Sequence, residues 1–294
     1  MRIPCPLLIL PLLAATACGD TATEASSSQV LRFSAIPDEN STELQQKFDK
    51  VADYLSEQLG IEVQYVPSSS YGASVQAFKN GDIQLAWFGG LTGVQARAAV
   101  EGANAIAQGK VDPAYKSYFI AHKDSGIEPG EDFPMAIADK KFTFGSERST
   151  SGRLMPEHFI RQATGKSPAD FFGSPMQHSG GHDQTAMLVQ AGTFDAGVLS
   201  YKAYDRLVKE GEIDPEVCRI VWTTPTYPDY NWTAHPAVNE MFGAGTMERL
   251  QKALIEMSAP ELLDAVNRSE GLIAAQNSDF EPVVELATEL GFLD

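Results

Sequence analysis

The chain has 294 residues, a hydrophobic fraction of 43% and a formal net charge of −17 at pH 7. This acidic balance argues against nucleic acid, whose binding proteins carry basic stripes, and against attraction to anionic lipid. Once an N-terminal signal is removed, only Cys18 and Cys218 remain, which is too few for a disulfide framework or a cysteine-rich metal site.

Residues 1–17 have the features of a secretory signal: a basic start, a short apolar run and small residues before a cleavage point. The apolar run is shorter than the roughly 20 residues that a membrane-spanning helix needs. Cys18 directly after the small residues resembles a bacterial lipoprotein box, in which this cysteine is lipidated, although Ala15 replaces the usual leucine. We expect a lipid anchor at Cys18, with plain secretion as the alternative, and a flexible tether over residues 18–29.

Predicted strands and helices alternate in the first third of the mature chain. A cap at residues 40–43 opens a long amphipathic helix, and Gly60 ends it. A strand followed by a helix, repeated three times, predicts a mostly parallel sheet covered by helices on both faces. The strands are predicted at residues 30–35, 61–66 and 83–88, and the helices at residues 44–59, 71–79 and 91–100.

A second alternating block extends from residue 141 to residue 209. Apolar strands at residues 118–122 and 219–222 flank this block and are predicted to connect two lobes, while the last 50 residues are predicted to be helical. About 265 residues follow the tether, which is near the upper size for one hydrophobic core, so two lobes are expected. The predicted first lobe comprises residues 30–122 and 225–294, and the predicted second lobe comprises residues 123–224.

The turns that follow the predicted strands contain hydroxyls, glycines and aromatic residues, and open sheets bind ligands at these strand ends. Ser149, Thr150 and Ser151 stand where a strand turns into a helix. Their hydroxyls and the unpaired N–H groups of the first helical turn favour an anion, assisted by the helix dipole. The alternative is an ordinary helix N-cap with spare serines.

In their order along the chain, these segments resemble the periplasmic binding proteins of phosphonate and phosphite ABC transporters. The resemblance covers most of the mature chain and implies an α/β periplasmic-binding-protein fold. In that fold two lobes, each with a mostly parallel sheet flanked by helices, are joined by two crossover strands. The chain looks closest to a subgroup described as selenate-binding. The motifs are the turn at residues 37–42, Ser70-Tyr71-Gly72, Ala86-Trp87-Phe88-Gly89, Ser149-Thr150-Ser151-Gly152, Gly181-His182-Asp183 and Asp195.

The resemblance also implies roles for individual residues. Phe88 occupies a position where the phosphonate binders have a tyrosine, so that hydroxyl is missing, and the amides after Trp87, starting at Gly89, are expected to act. Lys202 stands where aminophosphonate binders carry an acidic residue that holds the ligand's amine. The remaining predicted oxyanion contacts are Tyr71, Ser149, Thr150, Ser151, His182 and Asp229.

Each of these residues has a structural alternative. His182 and Tyr71 can be ordinary helix-start residues, and Lys202 can be solvated. An enzyme is the main rival class, because Ser149 or Ser151 with His182 and Asp183 superficially supplies a nucleophile and a base. The Gly-x-Ser-x-Gly motif is absent, however, and an aspartate next to its histidine cannot readily orient that ring. The other histidines lack metal-ligand spacing, so no catalytic site, cofactor or metal is predicted.

The sequence therefore predicts the substrate-binding lipoprotein of an ABC importer, a monomer in the periplasm or at the cell surface. Its expected ligand is a small oxyanion, with phosphonate, phosphite, phosphate and a selenate-like anion all left open. Its expected partners are a permease in the inner membrane and the ATPase of that permease, and it meets the membrane only through the lipid. A ligand-sensing partner of a membrane receptor is the alternative.

Overall fold

The computed structural model describes Met1 and residues 29–293. The predicted signal peptide, Cys18 and all but the last residue of the predicted tether lie outside the described residues. Within the described part of the chain, no helix is both long enough and apolar enough to cross a membrane.

Ten strands and eleven α-helices make up the described fold. The strands are β1 (Leu31–Ala35), β2 (Val63–Tyr65), β3 (Leu85–Phe88), β4 (Asn104–Gly109), β5 (Ser117–His122), β6 (Phe142–Thr143), β7 (Ala196–Ser200), β8 (Cys218–Thr223), β9 (Asn231–Ala234) and β10 (Leu272–Ala274). The helices are α1 (Ser41–Leu59), α2 (Tyr71–Lys79), α3 (Gly90–Ala99), α4 (Met155–Thr164), α5 (Pro168–Phe172), α6 (His182–Gln190), α7 (Tyr201–Glu210), α8 (Ala237–Phe242), α9 (Thr246–Glu256), α10 (Pro260–Ala265) and α11 (Glu281–Glu289).

The first lobe is built on a six-stranded sheet with the order β10-β4-β9-β3-β1-β2. β1 pairs in parallel with β2 and β3, whereas β9 runs antiparallel between β3 and β4. Phe88 at the end of β3 lies opposite Asn231 at the start of β9. The segments that follow β1 and β3 and the segment that precedes β9 therefore meet at one edge of the sheet.

The second lobe is built on a four-stranded sheet with the order β6-β7-β5-β8. β6 and β7 are parallel, and β5 runs antiparallel to both β7 and β8. Ser117 at the start of β5 lies opposite Ser200 at the end of β7. The starts of α4, α6 and α7 are consequently brought to the edge that faces the first lobe.

Local sequence explains where the principal helix of the first lobe begins and ends. The Asn40 side chain accepts a hydrogen bond from the Thr42 amide at 3.0 Å, and Gly60 ends α1 in the left-handed region at φ 68°. Phe48 on the inner face of α1 stacks on Tyr65 of β2, with ring centroids 5.0 Å apart. Full burial of one such aromatic side chain contributes about 1.5–3 kcal/mol to the free energy of folding, which stabilises the packing of α1 on the sheet.

The α/β fold with two helix-flanked sheets is confirmed, but the sheets are mixed rather than mostly parallel. Strands β4, β9 and β10 were not predicted. β9 and β10 run antiparallel to the earlier strands, because the chain enters the sheet a second time after visiting the second lobe. Their order in the sheet depends on that long excursion, which no local pattern encodes.

The predicted lobe boundary at residue 122 is wrong. β5 and β8, predicted as connections, pair with each other inside the second sheet. β5 is an inner strand of this sheet, and it is apolar because side chains on both of its faces, such as Phe119 and Ile120, are buried. The chain instead crosses between the lobes at Tyr115 and Tyr227, which form an isolated antiparallel bridge.

Candidate ligand-binding site

Several helix N-termini meet between the two lobes. α2 and α3 begin in the first lobe, and α6, α7 and the turn that leads into α4 begin in the second. The first N–H groups of a helix have no partner within the helix and carry partial positive charge. The cleft is therefore favourable for an anion without needing a lysine or arginine at its centre.

The turn before α4 is a single π-helical turn over Thr150–Leu154. The Ser149 hydroxyl accepts a hydrogen bond from the Gly152 amide at 2.9 Å and caps this turn. A Cβ at Gly152 would approach the Gly145 Cα to 3.1 Å, so only glycine allows the two backbones to lie this close. Ser149, Thr150 and Ser151 are all buried. The π turn thus holds three hydroxyl residues in the interior between the lobes.

Thr150 connects the π turn to the opposite lobe. Its hydroxyl accepts a hydrogen bond from the Leu91 amide in the first turn of α3, at 2.9 Å. The preceding amide, Gly90, donates to Asp229 Oδ1 at 2.8 Å. A Cβ at Gly89 would lie 3.3 Å from both Thr150 Oγ1 and Asp229 Oδ1. Glycine at this position permits α3 and the π turn to approach each other.

His182 is the first residue of α6 and is held as a neutral hydrogen-bond donor. Its Nδ1 accepts from the Ser200 amide at 3.4 Å, which leaves the ring hydrogen on Nε2. Nε2 lies 3.4 Å from the Ser151 hydroxyl and 3.3 Å from the Tyr230 hydroxyl. Burial, with a further contribution from Arg206, lowers the pKa of His182 to about 3. The imidazole is consequently uncharged at neutral pH.

Two buried polar atoms in this region have no hydrogen-bond partner among the described residues: the Tyr71 hydroxyl and Asp229 Oδ2. Leaving such a group unpaired costs about 1–3 kcal/mol. Burial is the main reason that the pKa of Tyr71 lies well above its ordinary value, and Asp38 and Asp229 raise it further. Burial also raises the pKa of Asp229 to about 7. The site therefore offers one unused donor and one unused acceptor to a ligand.

Two predicted site residues point elsewhere. The Phe88 ring is buried in the core of the first lobe, 5.7 Å from the Phe78 ring in an edge-to-face contact. The Lys202 ammonium lies 2.6 Å from Glu270 Oε1 of the opposite lobe. The structure groups the other predicted residues around the cleft, namely Tyr71, Gly89, Ser149, Thr150, Ser151, His182 and Asp229.

Sequence reasoning missed several residues that complete the cleft. The Tyr230 hydroxyl donates to Asp38 Oδ2 at 2.7 Å, so its oxygen is free to accept from His182. Trp87 stacks on Tyr230 with ring centroids 5.5 Å apart. Arg268 lies over the Tyr230 ring at 4.6 Å and forms a buried ion pair with Asp112. Tyr230 directly follows Asp229, a predicted site residue, so its position in the sequence could have suggested a role in the site. No neighbouring motif pointed to Arg268.

The described residues contain no group of three or more His, Cys, Asp or Glu side chains that is placed to hold a metal ion. Two lobes that enclose a cleft of neutral donors and helix N-termini define the class of the two-lobed periplasmic binding proteins. Within that class, residues 33–280 match the family described as "ABC transporter, phosphonate, periplasmic substrate-binding protein". The chain belongs to this family, which confirms the resemblance drawn from its motifs.

Curated relatives and a solved structure agree with this family. The chain is 36% identical over 272 residues to the probable ABC transporter phosphite binding protein PhnD1 of Prochlorococcus marinus (strain MIT 9301), covering 90% of this chain and 91% of that protein. It is 30% identical over 228 residues to the phosphate-import protein PhnD of Mycolicibacterium smegmatis, covering 72% of this chain and 69% of that protein. The structure of the Prochlorococcus PhnD1 in complex with methylphosphonate has a TM-score of 0.83 at 35% identity, covering 89% of this chain and 98% of that chain.

Proposed function

We propose that this protein is the substrate-binding component of an ABC importer and closes on a small tetrahedral oxyanion that retains a hydrogen, such as methylphosphonate, phosphite or phosphate. The observation that carries the proposal is the pair of unpartnered buried atoms, the Tyr71 hydroxyl and Asp229 Oδ2. The names of the relatives, which refer to phosphite, phosphate and methylphosphonate, support the same ligand class.

Neutral donors supply the attraction for the anion. The Tyr71 hydroxyl, the hydroxyls of the π turn and His182 Nε2–H all donate, and the helix N-termini add partial positive charge. A hydrogen bond to a charged group contributes roughly 1.5–3 kcal/mol, and micromolar affinity corresponds to about 8 kcal/mol. A handful of these donors, after the cost of ordering the ligand, reaches that range.

Asp229 supplies the discrimination. In its ionised form, which prevails above a pH of about 7, the Asp229 carboxylate accepts a hydrogen bond from a ligand oxygen that carries a hydrogen, and it repels an oxygen that does not. Phosphate retains such a hydrogen near neutral pH, and phosphonates and phosphite carry one on oxygen in a substantial fraction of their molecules, whereas sulfate and selenate carry none. Among the anions that the sequence left open, the Asp229 carboxylate therefore favours phosphorus oxyanions over selenate.

The ligand favours the closed arrangement because only that arrangement completes its shell of hydrogen bonds. Tyr71 and Asp229 come from the first lobe, and Ser151 and His182 come from the second. Closure then proceeds as a rotation about the two crossovers, and the closed form is presented to a permease and its ATPase. Anchoring through Cys18 is part of the proposal, and Cys18→Ser should move the protein from the membrane fraction to the soluble fraction of the cell envelope.

The arrangement of Ser151, His182 and Asp183 supports binding rather than catalysis. Asp183 Oδ1 accepts from the Arg206 guanidinium at 2.6 Å, and the His182 Nδ1 accepts from a backbone amide. No carboxylate therefore orients the imidazole as a general base, and His182 acts as a donor to the ligand.

Calorimetry on the mature protein tests the proposal with a panel of methylphosphonate, phosphite, phosphate, sulfate, selenate and 2-aminoethylphosphonate. The first three should bind with micromolar affinity or better, and sulfate and selenate should bind at least tenfold more weakly. The expected effect of Lys202, weaker binding of amine-bearing phosphonates, stays a prediction. Binding of 2-aminoethylphosphonate in the same panel tests it. Tighter binding of selenate than of phosphite would contradict the role assigned to Asp229.

A further inference from the structure

A charged contact joins the two lobes at the rim of the cleft, beside the start of α1. Glu39 precedes α1 in the first lobe, and Arg206 lies in α7 of the second. Arg206 Nε is 3.1 Å from Glu39 Oε1 without the alignment of a hydrogen bond, so the contact acts through charge, and the two side chains are only 7% and 8% exposed. We propose that Glu39 and Arg206 form an interlobe clasp that sets the fraction of closed protein, and thereby the ligand affinity, from outside the oxyanion cage.

Each half of the clasp is held in place by its own lobe. Arg206 is bound by Asp183 at 2.6 Å and by Glu210 at 2.6 Å, both in the second lobe. Glu39 is bound by Lys47 of α1 at 3.2 Å. The two side chains are therefore already ordered before the lobes meet, which lowers the entropy cost of the contact. When the lobes separate, each keeps a partner and gains water, so opening leaves no charge buried alone.

The clasp also prevents repulsion between the lobes. Asp38 and Glu39 stand on the first lobe, and Asp183 and Glu210 on the second, with Arg206 as the cation between them. Burial disfavours the charge of Arg206, but Glu39 and Asp183 more than offset this effect and raise its pKa. Removal of the arginine would leave carboxylates of both lobes facing each other. Loss of Arg206 should therefore open the protein more than loss of Glu39.

α7 carries a second contact of the same kind. Lys202, one turn before Arg206, pairs with Glu270 of the first lobe at 2.6 Å, and its carbonyl accepts from Asn267 Nδ2 at 3.1 Å. On the opposite rim, by contrast, Arg148 meets a neutral acceptor, Gln95 Oε1, at 3.1 Å. Two independent ion pairs thus extend from one helix to the other lobe, which is the arrangement expected of a helix that governs closure.

The experiment measures closure with and without ligand. Fluorophores on Lys50→Cys and Lys166→Cys, which are exposed positions in different lobes, report the interlobe distance in single molecules. Glu39→Gln should lower the closed fraction of the ligand-free protein and should speed the release of phosphite by about fivefold or more, within the usual range of coupling between sites. The association rate and the thermal unfolding midpoint should change little, because Lys47 and Arg206 keep their other partners.

Matched variants separate an interlobe role from a local one. Glu210→Gln removes the same charge beside Arg206 but on the same helix, so it should leave the closed fraction near that of the parent. Glu256→Gln in the exposed pair with Lys252 controls for the loss of one negative charge from the first lobe.

The outcomes are distinct. An unchanged closed fraction and release rate in Glu39→Gln would overturn the clasp, as would equal effects from Glu39→Gln and Glu210→Gln. Because the closed fraction is measured in ligand-free protein, the clasp is tested independently of the proposed function. If the parent binds no oxyanion of the panel but Glu39→Gln still lowers the closed fraction of the ligand-free protein, the proposed function is wrong and the clasp is supported.

Discussion

At the scale of single residues, burial of the Asp229 carboxyl lowers the stability of the folded protein but provides a hydrogen-bond acceptor for the ligand. Its carboxyl is buried and half unpartnered, and its pKa is raised to about 7 by burial. Because the folded-state pKa lies above the ordinary value of 3.8, the stability that Asp229 contributes is fully present below that value and is lost as the pH rises from there to about 7. A ligand oxygen that donates to this carboxylate would relieve the cost.

Asp229→Asn should therefore raise the free energy of unfolding of the ligand-free protein at pH 8, and the gain should be much smaller at pH 5. Denaturant unfolding at the two pH values measures both effects. Asp53→Asn, at an exposed position of α1, is the control and should show no such pH dependence. The same substitution should narrow the preference for phosphite over selenate, since an amide can donate to an oxygen that has no hydrogen. A gain in stability that is equal at both pH values would contradict the buried-carboxylate account.

His182 gives a second prediction at this scale. His182→Ala should weaken binding of phosphite more than His158→Ala or His235→Ala, because only the His182 Nε2–H is directed to Ser151 and Tyr230 in the cleft. Calorimetry on the three variants provides the comparison. Equal losses from all three would show that this histidine has no special place in the site.

At the scale of elements, the π turn supplies hydroxyl groups of the second lobe to the site. Replacing Thr150 and Ser151 together with alanine should weaken binding at least tenfold, since it removes two hydroxyls from the cleft. The fold should persist, because the Ser149 cap and the Gly145–Gly152 contact remain. Thr164→Ala, at the far end of α4, removes a hydroxyl that bonds only within its own helical end and is the control. Unaltered affinity in the double variant would refute the role of the turn.

The start of α3 depends on a close approach between the lobes. Gly89→Ala should weaken binding severalfold with little loss of stability, because φ −72° accepts alanine while the added methyl would lie 3.3 Å from Thr150 Oγ1. Gly130→Ala, where a methyl meets no atom within 4 Å, is the matched control. Titration calorimetry and thermal unfolding together check this prediction. A variant that binds normally would mean that closure leaves more room at this point than the structure shows.

Local signals predicted the elements that depend on local chemistry. The Asn40 cap, the Gly60 stop and the hydroxyls after β6 could all be identified from neighbouring residues. β4 could not, because its Ala-Ile-Ala-Gln-Gly sequence has little strand preference and acquires its pairing from β9 and β10. The joint role of Tyr230 and Asp38 could not be predicted either, since they are 192 residues apart and meet only in the folded cleft.

At the scale of the whole molecule, ligand binding and closure should appear together as a gain in stability. A ligand at about 100 times its dissociation constant should add about 2.7 kcal/mol to the free energy of unfolding, because it binds only the folded protein. Small-angle scattering should show a smaller radius of gyration in the same samples. Methylphosphonate and phosphite should produce both effects, and sulfate at the same concentration should produce clearly smaller ones. Stabilisation without compaction would contradict closure around the ligand.

The crossing of the chain at Tyr115 and Tyr227 has a consequence for how such proteins diversify. The second lobe is one uninterrupted stretch of chain between these two residues, inserted into a first lobe that both precedes and follows it. A single exchange of this stretch between relatives would transfer the Ser-Thr-Ser turn, His182 and Arg206 together, and would leave Tyr71 and Asp229 in place. The two halves of the site can therefore be inherited and recombined separately, with the second lobe exchanged as a unit and the first lobe retained.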